Sequence, residues 1–189
     1  MNVLLLDNYD SFTFNLLHII EQYVGIEVDV FRNDKIQLDD IYKYDSIIIS
    51  PGPGLPHDAG ILMPMLEKYK SVKKILGVCL GHQAIGLACG CRLKNLSRVL
   101  HGVSRKTVQT EEYDSLFRNI PKVFKSGHYH SWVIDRESLT PELKITALDE
   151  EGNIMAIRHV EYKMAGIQFH PESILTEYGK ELIFNWLDE

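Results

Sequence analysis

Cys79 is the residue of this sequence whose surroundings most favour chemistry. It stands in Gly77-Val78-Cys79-Leu80-Gly81, between an apolar run and a segment with helical periodicity. Glycines two positions before and two after a nucleophilic side chain are typical of a sharp strand-to-helix turn. Such a turn exposes the side chain and directs the following N–H groups at a reacting carbonyl, and a helix N-terminus favours a thiolate. The pattern predicts a nucleophile, with a structural cysteine beside packing glycines as the alternative.

A thiol nucleophile needs a base, and His170 is the best placed of the eight histidines. It follows the apolar run 165–169, and Glu172 lies two residues further on, where its carboxylate can orient the imidazole. A helix would carry His82 away from Cys79. Surface or core roles are expected for His18, His57, His101 and His159. A His-Pro-Glu turn alone is weak evidence, but together with Cys79 it predicts a Cys-His-Glu triad.

The loop Ser50-Pro51-Gly52-Pro53-Gly54 follows a third apolar run. It lacks the Lys-Ser/Thr ending of a P-loop and the spacing of a dinucleotide-binding turn, so both of these interpretations are rejected. Its glycines can expose backbone N–H groups at the carboxyl end of a strand, where open α/β sheets bind ligands. We expect it to supply a second oxyanion donor beside Cys79, with a rigid turn as the alternative.

Short apolar runs alternate with helical patterns through the first half of the chain, as in a mostly parallel sheet flanked by helices. We expect strands at 3–6, 28–31, 47–49 and 75–78, and helices at 12–25, 63–69 and 82–88. The second half has β-like runs at 99–108, 122–124, 131–134, 145–148, 154–157 and 164–169. An amphipathic pattern over 177–187 closes the chain. The prediction is an open α/β fold with an added antiparallel portion, in a single domain at 1–189.

The amino-acid composition restricts the classes of protein to which this chain can belong. The 189 residues are 45% hydrophobic and include 20 basic and 26 acidic side chains, which indicates a globular domain and argues against a nucleic-acid binder. The three cysteines are too few for a disulfide framework, so we expect a reducing, cytoplasmic compartment, with Cys89 and Cys91 structural. The first residues lack the features of a signal peptide. The uncharged stretch 75–91 is shorter than the roughly 20 residues of a membrane span.

Five motifs, in order, resemble the class I glutamine amidotransferases, and among them the small glutaminase subunit of anthranilate synthase. They are DNYDSFT at 7–13, SPGPG at 50–54, GVCLGHQ at 77–83, YHS at 129–131 and QFHPES at 168–173. The resemblance covers nearly the whole chain. It implies the flavodoxin-like fold of class I glutaminases and the hydrolysis of glutamine through a cysteine thioester.

The resemblance also implies the role of each site residue. Cys79 would be the nucleophile, His170 the general base and acid, and Glu172 the carboxylate that orients it. The N–H of Leu80 would be an oxyanion donor. Glutamine would be bound by Gly52, Pro53, Gly54, Gln83, Ser131 and Trp132. No cofactor or metal is implied for this chain.

The ammonia would pass to a larger, chorismate-binding subunit in a hetero-oligomer, and magnesium would belong to the chorismate site of that partner. The length matches a glutaminase domain alone, so we expect the acceptor chemistry on a separate subunit. The same motifs fit the glutaminase subunit of aminodeoxychorismate synthase. A stand-alone cysteine hydrolase is the alternative from another class, and a non-catalytic scaffold conflicts with the intact triad.

Two positions depart from the family pattern. His128 stands where arginine more often precedes Tyr-His-Ser, and Val103 stands where lysine usually follows His-Gly. The surrounding segment 91–110 has five basic residues and no acidic one. We expect it to dock the larger subunit through residues such as Arg98 and Arg105, with a solvated β-hairpin as the alternative.

Overall fold

The chain alternates strand and helix through its first half and then continues mostly as strand. The computed structural model describes all of residues 1–189. Its elements are β1 (Asn2–Asp7), α1 (Thr13–Glu21), β2 (Glu27–Arg32), β3 (Ser46–Ile49), α2 (Leu62–Tyr69), β4 (Lys74–Val78), α3 (Leu80–Ala88), β5 (Leu93–Gln109), β6 (Val123–Ile134), β7 (Leu143–Asp149), β8 (Ile154–His159), β9 (Met164–Ile167) and α4 (Gly179–Leu187). Short 3-10 turns lie between several of them. None of the helices has the length and apolar character that crossing a membrane requires.

All nine strands form one mixed sheet in the order β2-β1-β3-β4-β9-β8-β7-β5-β6. The five strands from β2 to β9 pair in parallel, and the remaining pairings are antiparallel. This confirms the predicted α/β fold with an antiparallel addition. The carboxyl ends of β1, β3, β4 and β9 therefore meet at one edge, where the motif residues follow them.

Successive side chains of the central strands point to opposite faces of the sheet, and this divides the apolar core into two layers. On β1, Val3 and Leu5 pack in one apolar cluster with residues of α1 and α4. Leu4 and Leu6 pack in the other with residues of α2 and α3. All four side chains are fully buried. A strand that is apolar on both faces is expected of a parallel sheet covered by helices on both sides, and this fixes the strand ends that carry the site.

Three predicted elements were too short, because β5, β6 and α3 extend beyond the apolar residues from which they were predicted. The runs 122–124 and 131–134 belong to the single strand β6, whose middle buries Ser126, His128 and His130. These polar side chains are hydrogen-bonded to one another, so they fit a buried strand although they interrupt its apolar pattern. Strand β5 begins well before 99, and α3 begins at Leu80 rather than His82.

The antiparallel portion curls back over the carboxyl edge of the parallel strands. Gly127 in β6 forms an isolated antiparallel bridge with His170, just beyond β9, and the His170 N–H donates to the Gly127 carbonyl over 3.0 Å. A Cβ on Gly127 would lie 2.9 Å from the Ser173 hydroxyl, so the approach depends on glycine. The bridge brings residues 129–132 to the end of β4, where Cys79 lies.

Candidate active site

Cys79 occupies a strained turn between β4 and α3. Its backbone has φ +51° and ψ −98°, a conformation that non-glycine residues rarely adopt and that is typical of functional turns. The flanking glycines make the turn possible. A Cβ on Gly77 would lie 2.3 Å from the carbonyl carbon of Gly81, and a Cβ on Gly81 would lie 2.8 Å from the Ile49 carbonyl oxygen. The thiol therefore stands at the N-terminus of α3, as the glycine spacing requires.

His170 and Glu172 form a buried pair beside this thiol. His170 Nδ1 lies 2.6 Å from Glu172 Oε1, and the two side chains are 2% and 0% exposed. Burial alone would lower the pKa of His170, but the neighbouring charges of Cys79 and Glu172 outweigh it and raise that pKa well above its ordinary value. His170 Nε2 makes no hydrogen bond in the resting structure. The carboxylate thus orients the ring and leaves its other nitrogen free.

A cavity of about 170 Å³ lies in front of Cys79. Most of the residues predicted to bind a substrate line it: Gly52, Pro53, Gly54, Gln83, Ser131 and Trp132. Leu80 does not line it. The Leu80 side chain packs beneath the loop instead, 2.7 Å from where a Cβ on Gly52 would lie, so that the predicted contribution of Leu80 is left to its backbone N–H. The structure therefore brings together segments that are up to 80 residues apart in sequence.

The loop 50–54 is held in place by the end of β1. The Asn8 N–H donates to Ser50 Oγ over 2.9 Å, and Asn8 Nδ2 donates to the Ser50 carbonyl over 3.0 Å. Gly52 lies so close to Asn8 that an added Cβ would be 2.6 Å from the Asn8 Cβ. Because Asn8 itself is buried, the loop has a defined position beside Cys79. This explains how the motif at 7–13 contributes to the site without lining the first cavity.

A second cavity of about 430 Å³ meets the first at Cys79. It is lined by His170, by the aromatic residues Tyr9, Phe12 and Tyr129, and by His101, which lines both cavities. The Tyr129 ring lies 4.9 Å from the His170 ring and 5.4 Å from the His101 ring. The surface or core role predicted for His101 was therefore incomplete, because this residue lines both cavities. The glycine that follows His101 was the available signal, since Gly102 has φ +68° and coincides with a shift in the β5–β6 register between 101 and 103.

Two further histidines, His128 and His130, form a directional hydrogen-bond chain that the sequence did not reveal. The Trp132 carbonyl can only accept, so His130 Nδ1 donates to it over 3.1 Å. His130 Nε2 then accepts from His128 Nδ1 over 3.1 Å. His128 Nε2 accepts from the Ser126 hydroxyl over 2.9 Å, and that hydroxyl accepts from Thr107 over 2.6 Å.

The chain requires both rings to be neutral, and their burial agrees with it. Burial lowers the pKa of His128 to about 4 and that of His130 to about 3. Each ring uses both nitrogens within the chain, so neither acts as a base toward Cys79. Their structural effect is to hold the Trp132 carbonyl, which also accepts from Gln83 Nε2 over 2.9 Å. His128, which stands where the family more often has arginine, thus supports the wall of the first cavity through His130.

One cluster elsewhere has side chains of types that bind metals. Atoms of Cys89, Glu142 and His159 lie within 4.8 Å of one another. His159 Nδ1 accepts the N–H groups of Glu161 and Tyr162 over 3.0 and 2.8 Å, so the neutral ring carries its proton on Nε2 and presents no free lone pair. Burial raises the pKa of Cys89 to about 12, so this thiol is protonated in the metal-free chain. The donor set does not suit a metal ion.

Comparison with known proteins identifies the family of this chain. The model of the family described as glutamine amidotransferase class-I matches residues 4–189. The chain is 44% identical over 189 residues to anthranilate synthase component 2 of Cyanophora paradoxa, covering 98% of each protein. It is 42% identical over 187 residues to aminodeoxychorismate synthase component 2 of Escherichia coli K12, again covering 98% of each. It is also 42% identical to the bifunctional protein TrpGD of Thermotoga maritima, of which it spans only 32%.

Solved structures share the fold at lower identity. A protein of Thermoplasma acidophilum superposes with a TM-score of 0.87 at 20% identity, covering 100% of this chain and 92% of that one. A glutamine amidotransferase of Thermotoga maritima gives 0.76 at 14%, covering 100% and 81%. The family model spans the elements that carry the Cys79 turn, the loop at 50–54 and the turn at 170–172. The chain is an enzyme that belongs to the class I glutamine amidotransferases.

Proposed function

We propose that this chain is a glutaminase subunit that hydrolyses L-glutamine through a thioester on Cys79 and delivers ammonia to a larger, chorismate-binding synthase subunit that makes anthranilate. One observation carries the proposal: the strained Cys79 turn opens into a cavity beside the buried His170–Glu172 pair. Relatives named anthranilate synthase component 2, at 44 and 43% identity, support the pathway.

In the first half-reaction, Cys79 gives its thiol proton to His170 and attacks the side-chain amide carbon of glutamine. The raised pKa of His170 favours the imidazolium that this transfer creates. The carbonyl oxygen becomes an oxyanion, for which the N–H of Leu80 and the loop 52–54 are the proposed donors. The imidazolium then protonates the amide nitrogen, ammonia leaves with the electrons of the C–N bond, and a glutamyl thioester remains on Cys79.

In the second half-reaction, water replaces ammonia. His170 takes a proton from the water as its oxygen attacks the thioester, and it returns the proton to sulfur as glutamate is released. An oxyanion forms again at the same place, so the same donors act twice. One donor of this kind is worth about 2.7–4 kcal/mol of transition-state stabilisation. Glu172 remains charged and stabilises the imidazolium in both steps.

Gln83 is suited to recognising the α-ammonium group of glutamine. Both of its N–H groups are in use, because Nε2 donates to the Trp132 carbonyl over 2.9 Å and to Gln168 Oε1 over 3.3 Å. Its own oxygen accepts no hydrogen bond within the chain and belongs to a residue that lines the cavity. A fixed amide oxygen of this kind accepts from an ammonium group. The backbone of Ser131 and Trp132 on the same wall would contact the rest of the substrate backbone.

The larger subunit would cover the mouth of the two cavities. Exposed apolar side chains stand there, since Tyr9 lines the second cavity and is 48% exposed, while Val99 lines the first and is 71% exposed. Covering these side chains with a partner would remove their apolar area from water, which is favourable. Magnesium would be held by that partner at its chorismate site. A cytoplasmic setting is part of the proposal, since all three cysteines are free.

The aminodeoxychorismate pathway is the second candidate, because the Escherichia coli relative at 42% identity is named for it. The glutaminase chemistry is the same in both, so the product made by the complex distinguishes them. We expect the complex recovered from the native cell to convert chorismate and glutamine to anthranilate, while this chain alone hydrolyses glutamine weakly. Release of aminodeoxychorismate would move the assignment to the second pathway. Full glutaminase activity without the partner would favour a stand-alone hydrolase.

A docking role for the segment 91–110 rests on Arg98. Arg105 is too buried for the docking role that the sequence predicts for it. Its side chain is 9% exposed, and its Nη1 lies 3.0 Å from Glu151 and 3.7 Å from Asp149. These contacts tie β5 to the turn after β7. Arg98 is 65% exposed and lies 3.4 Å from Glu151, so a partner can compete for it.

We expect Arg98→Glu to weaken co-purification with the larger subunit, because it reverses an exposed charge on the residue that precedes Val99 of the first cavity. Lys43→Glu is the matched control, since Lys43 is comparably exposed but precedes the amino end of β3, at the opposite edge of the sheet from Cys79. Pull-down from a partner-containing lysate at low and high salt measures the effect. Equal recovery of the two variants would refute docking through this segment.

A further inference from the structure

Gln168 is a buried amide at the reacting sulfur that has no role in the mechanism described above. It follows β9 directly and precedes His170 by two residues. Its side chain is fully buried, and its backbone N–H donates to the Met155 carbonyl over 2.9 Å, which ties it to β8. Its Nε2 lies 3.6 Å from Cys79 Sγ, within hydrogen-bond reach of sulfur. Burying an amide costs free energy unless its N–H and C=O groups are hydrogen-bonded, so the contact between Gln168 and Cys79 requires a physical explanation.

The two ends of an amide have nearly the same shape, so the direction of Gln168 must follow from its partners. The Trp132 carbonyl only accepts, so the NH2 end of Gln83 faces it. The other N–H of that group points at Gln168 over 3.3 Å, and the oxygen of Gln168 must face it. The NH2 end of Gln168 is then the end that faces Cys79. A backbone carbonyl in the cavity wall thereby determines which group meets the sulfur.

We propose that Gln168 is a further catalytic residue of this site, which donates an N–H to Cys79 Sγ and stabilises the thiolate, with Gln83 setting its direction. The inference rests on the proposed function in taking Cys79 as the nucleophile. A hydrogen bond to a charged acceptor is about twice as strong as one between neutral groups, so the donor favours the thiolate over the thiol. Gln168 would thus stabilise the thiolate in addition to the His170 imidazolium, and the proposed substrate-binding amide of Gln83 is connected to the nucleophile through one intermediate side chain.

The test is the pH dependence of Cys79 alkylation by iodoacetamide on the full chain, followed by mass spectrometry of the Cys79 peptide. Gln168→Met keeps the length of the side chain and removes the donor, and we expect the midpoint of the profile to move up by about one pH unit. Gln168→Glu keeps the acceptor for Gln83 but places a carboxylate oxygen at the sulfur, so a larger upward shift is expected. Gln83→Met should move the midpoint in the same direction by less.

Gln109→Met is the matched control. Gln109 is another hydrogen-bonded amide, whose Nε2 donates to the backbone carbonyls of Ile120 and Pro121. It lines neither cavity at Cys79, so its loss should leave the midpoint in place. An unmoved midpoint in Gln168→Met, or an equal shift in the control, would overturn the role of Gln168. An unmoved midpoint in Gln83→Met would overturn the coupling. The profile needs no substrate, so a complex that fails to use glutamine would contradict the proposed function and leave this result standing.

Discussion

Cys79→Ala is expected to abolish glutamine-dependent synthesis by the complex while leaving synthesis from free ammonia unchanged. In the proposed mechanism the thiol forms the covalent intermediate, and removing one member of a catalytic unit costs roughly 10⁶-fold in turnover. Free ammonia would reach the acceptor site of the proposed partner without this chain's chemistry. The measurement is product formation with each nitrogen source. A chloroketone analogue of glutamine provides a second measurement, because it should label Cys79 in the wild type and no cysteine in the variant.

Cys91→Ala is the matched control for the loss of a thiol. Cys91 is 4% exposed and Cys79 5%, so both substitutions remove a similarly buried sulfur, but Cys91 lines neither cavity at the turn. Its variant should keep glutaminase activity and labelling. Persistent glutamine hydrolysis in Cys79→Ala would show that the nucleophile lies elsewhere. Loss of the ammonia-dependent reaction would show that the substitution damages the assembly rather than the chemistry.

The Cys79 turn could be predicted from the sequence because its steric requirements fall on residues that are close together in the chain. A Cβ at Gly77 would meet the backbone of Gly81 across the turn, and a Cβ at Gly81 would meet Ile49 of β3, so glycines must stand at both positions around Cys79. The parallel half could be predicted for a related reason. Strands buried on both faces, such as 3–6 and 47–49, are continuous apolar runs, and the fold class follows from their alternation with helical segments.

The polar interior of the site could not be predicted, because it depends on contacts distant in sequence. Whether Gln168 is a buried amide beside sulfur or an ordinary strand-end residue is decided by Gln83, which is 85 positions away. The chain through His128 and His130 likewise depends on the strand register of β5 and β6, which pairs Leu100 with His130. That register includes shifts between 95 and 100 and between 101 and 103, and the hydrophobic pattern of the sequence does not indicate where these shifts occur.

Glu172→Gln is expected to reduce glutaminase activity by roughly 10⁴-fold, less than the loss of Cys79, because an orienting carboxylate takes no part in bond making. The substitution removes one of the two charges that raise the pKa of His170. Burial then lowers that pKa, so the imidazolium is lost at a lower pH than in the wild type. In the wild type the imidazolium persists above pH 6.5 and disappears only as the pH rises through the raised pKa.

This change has a direct consequence for the sulfur. A neighbouring imidazolium stabilises the thiolate, so near neutral pH the variant, which loses the imidazolium more readily, should react more slowly with iodoacetamide. Glu177→Gln is the matched control, because Glu177 Oε2 accepts the Lys125 N–H at an exposed position and lines neither cavity. A slower reaction confined to Glu172→Gln, with ammonia-dependent synthesis intact, supports the orienting role. Unchanged alkylation across pH 6–9 would mean that Glu172 supports the turn rather than the charge on His170.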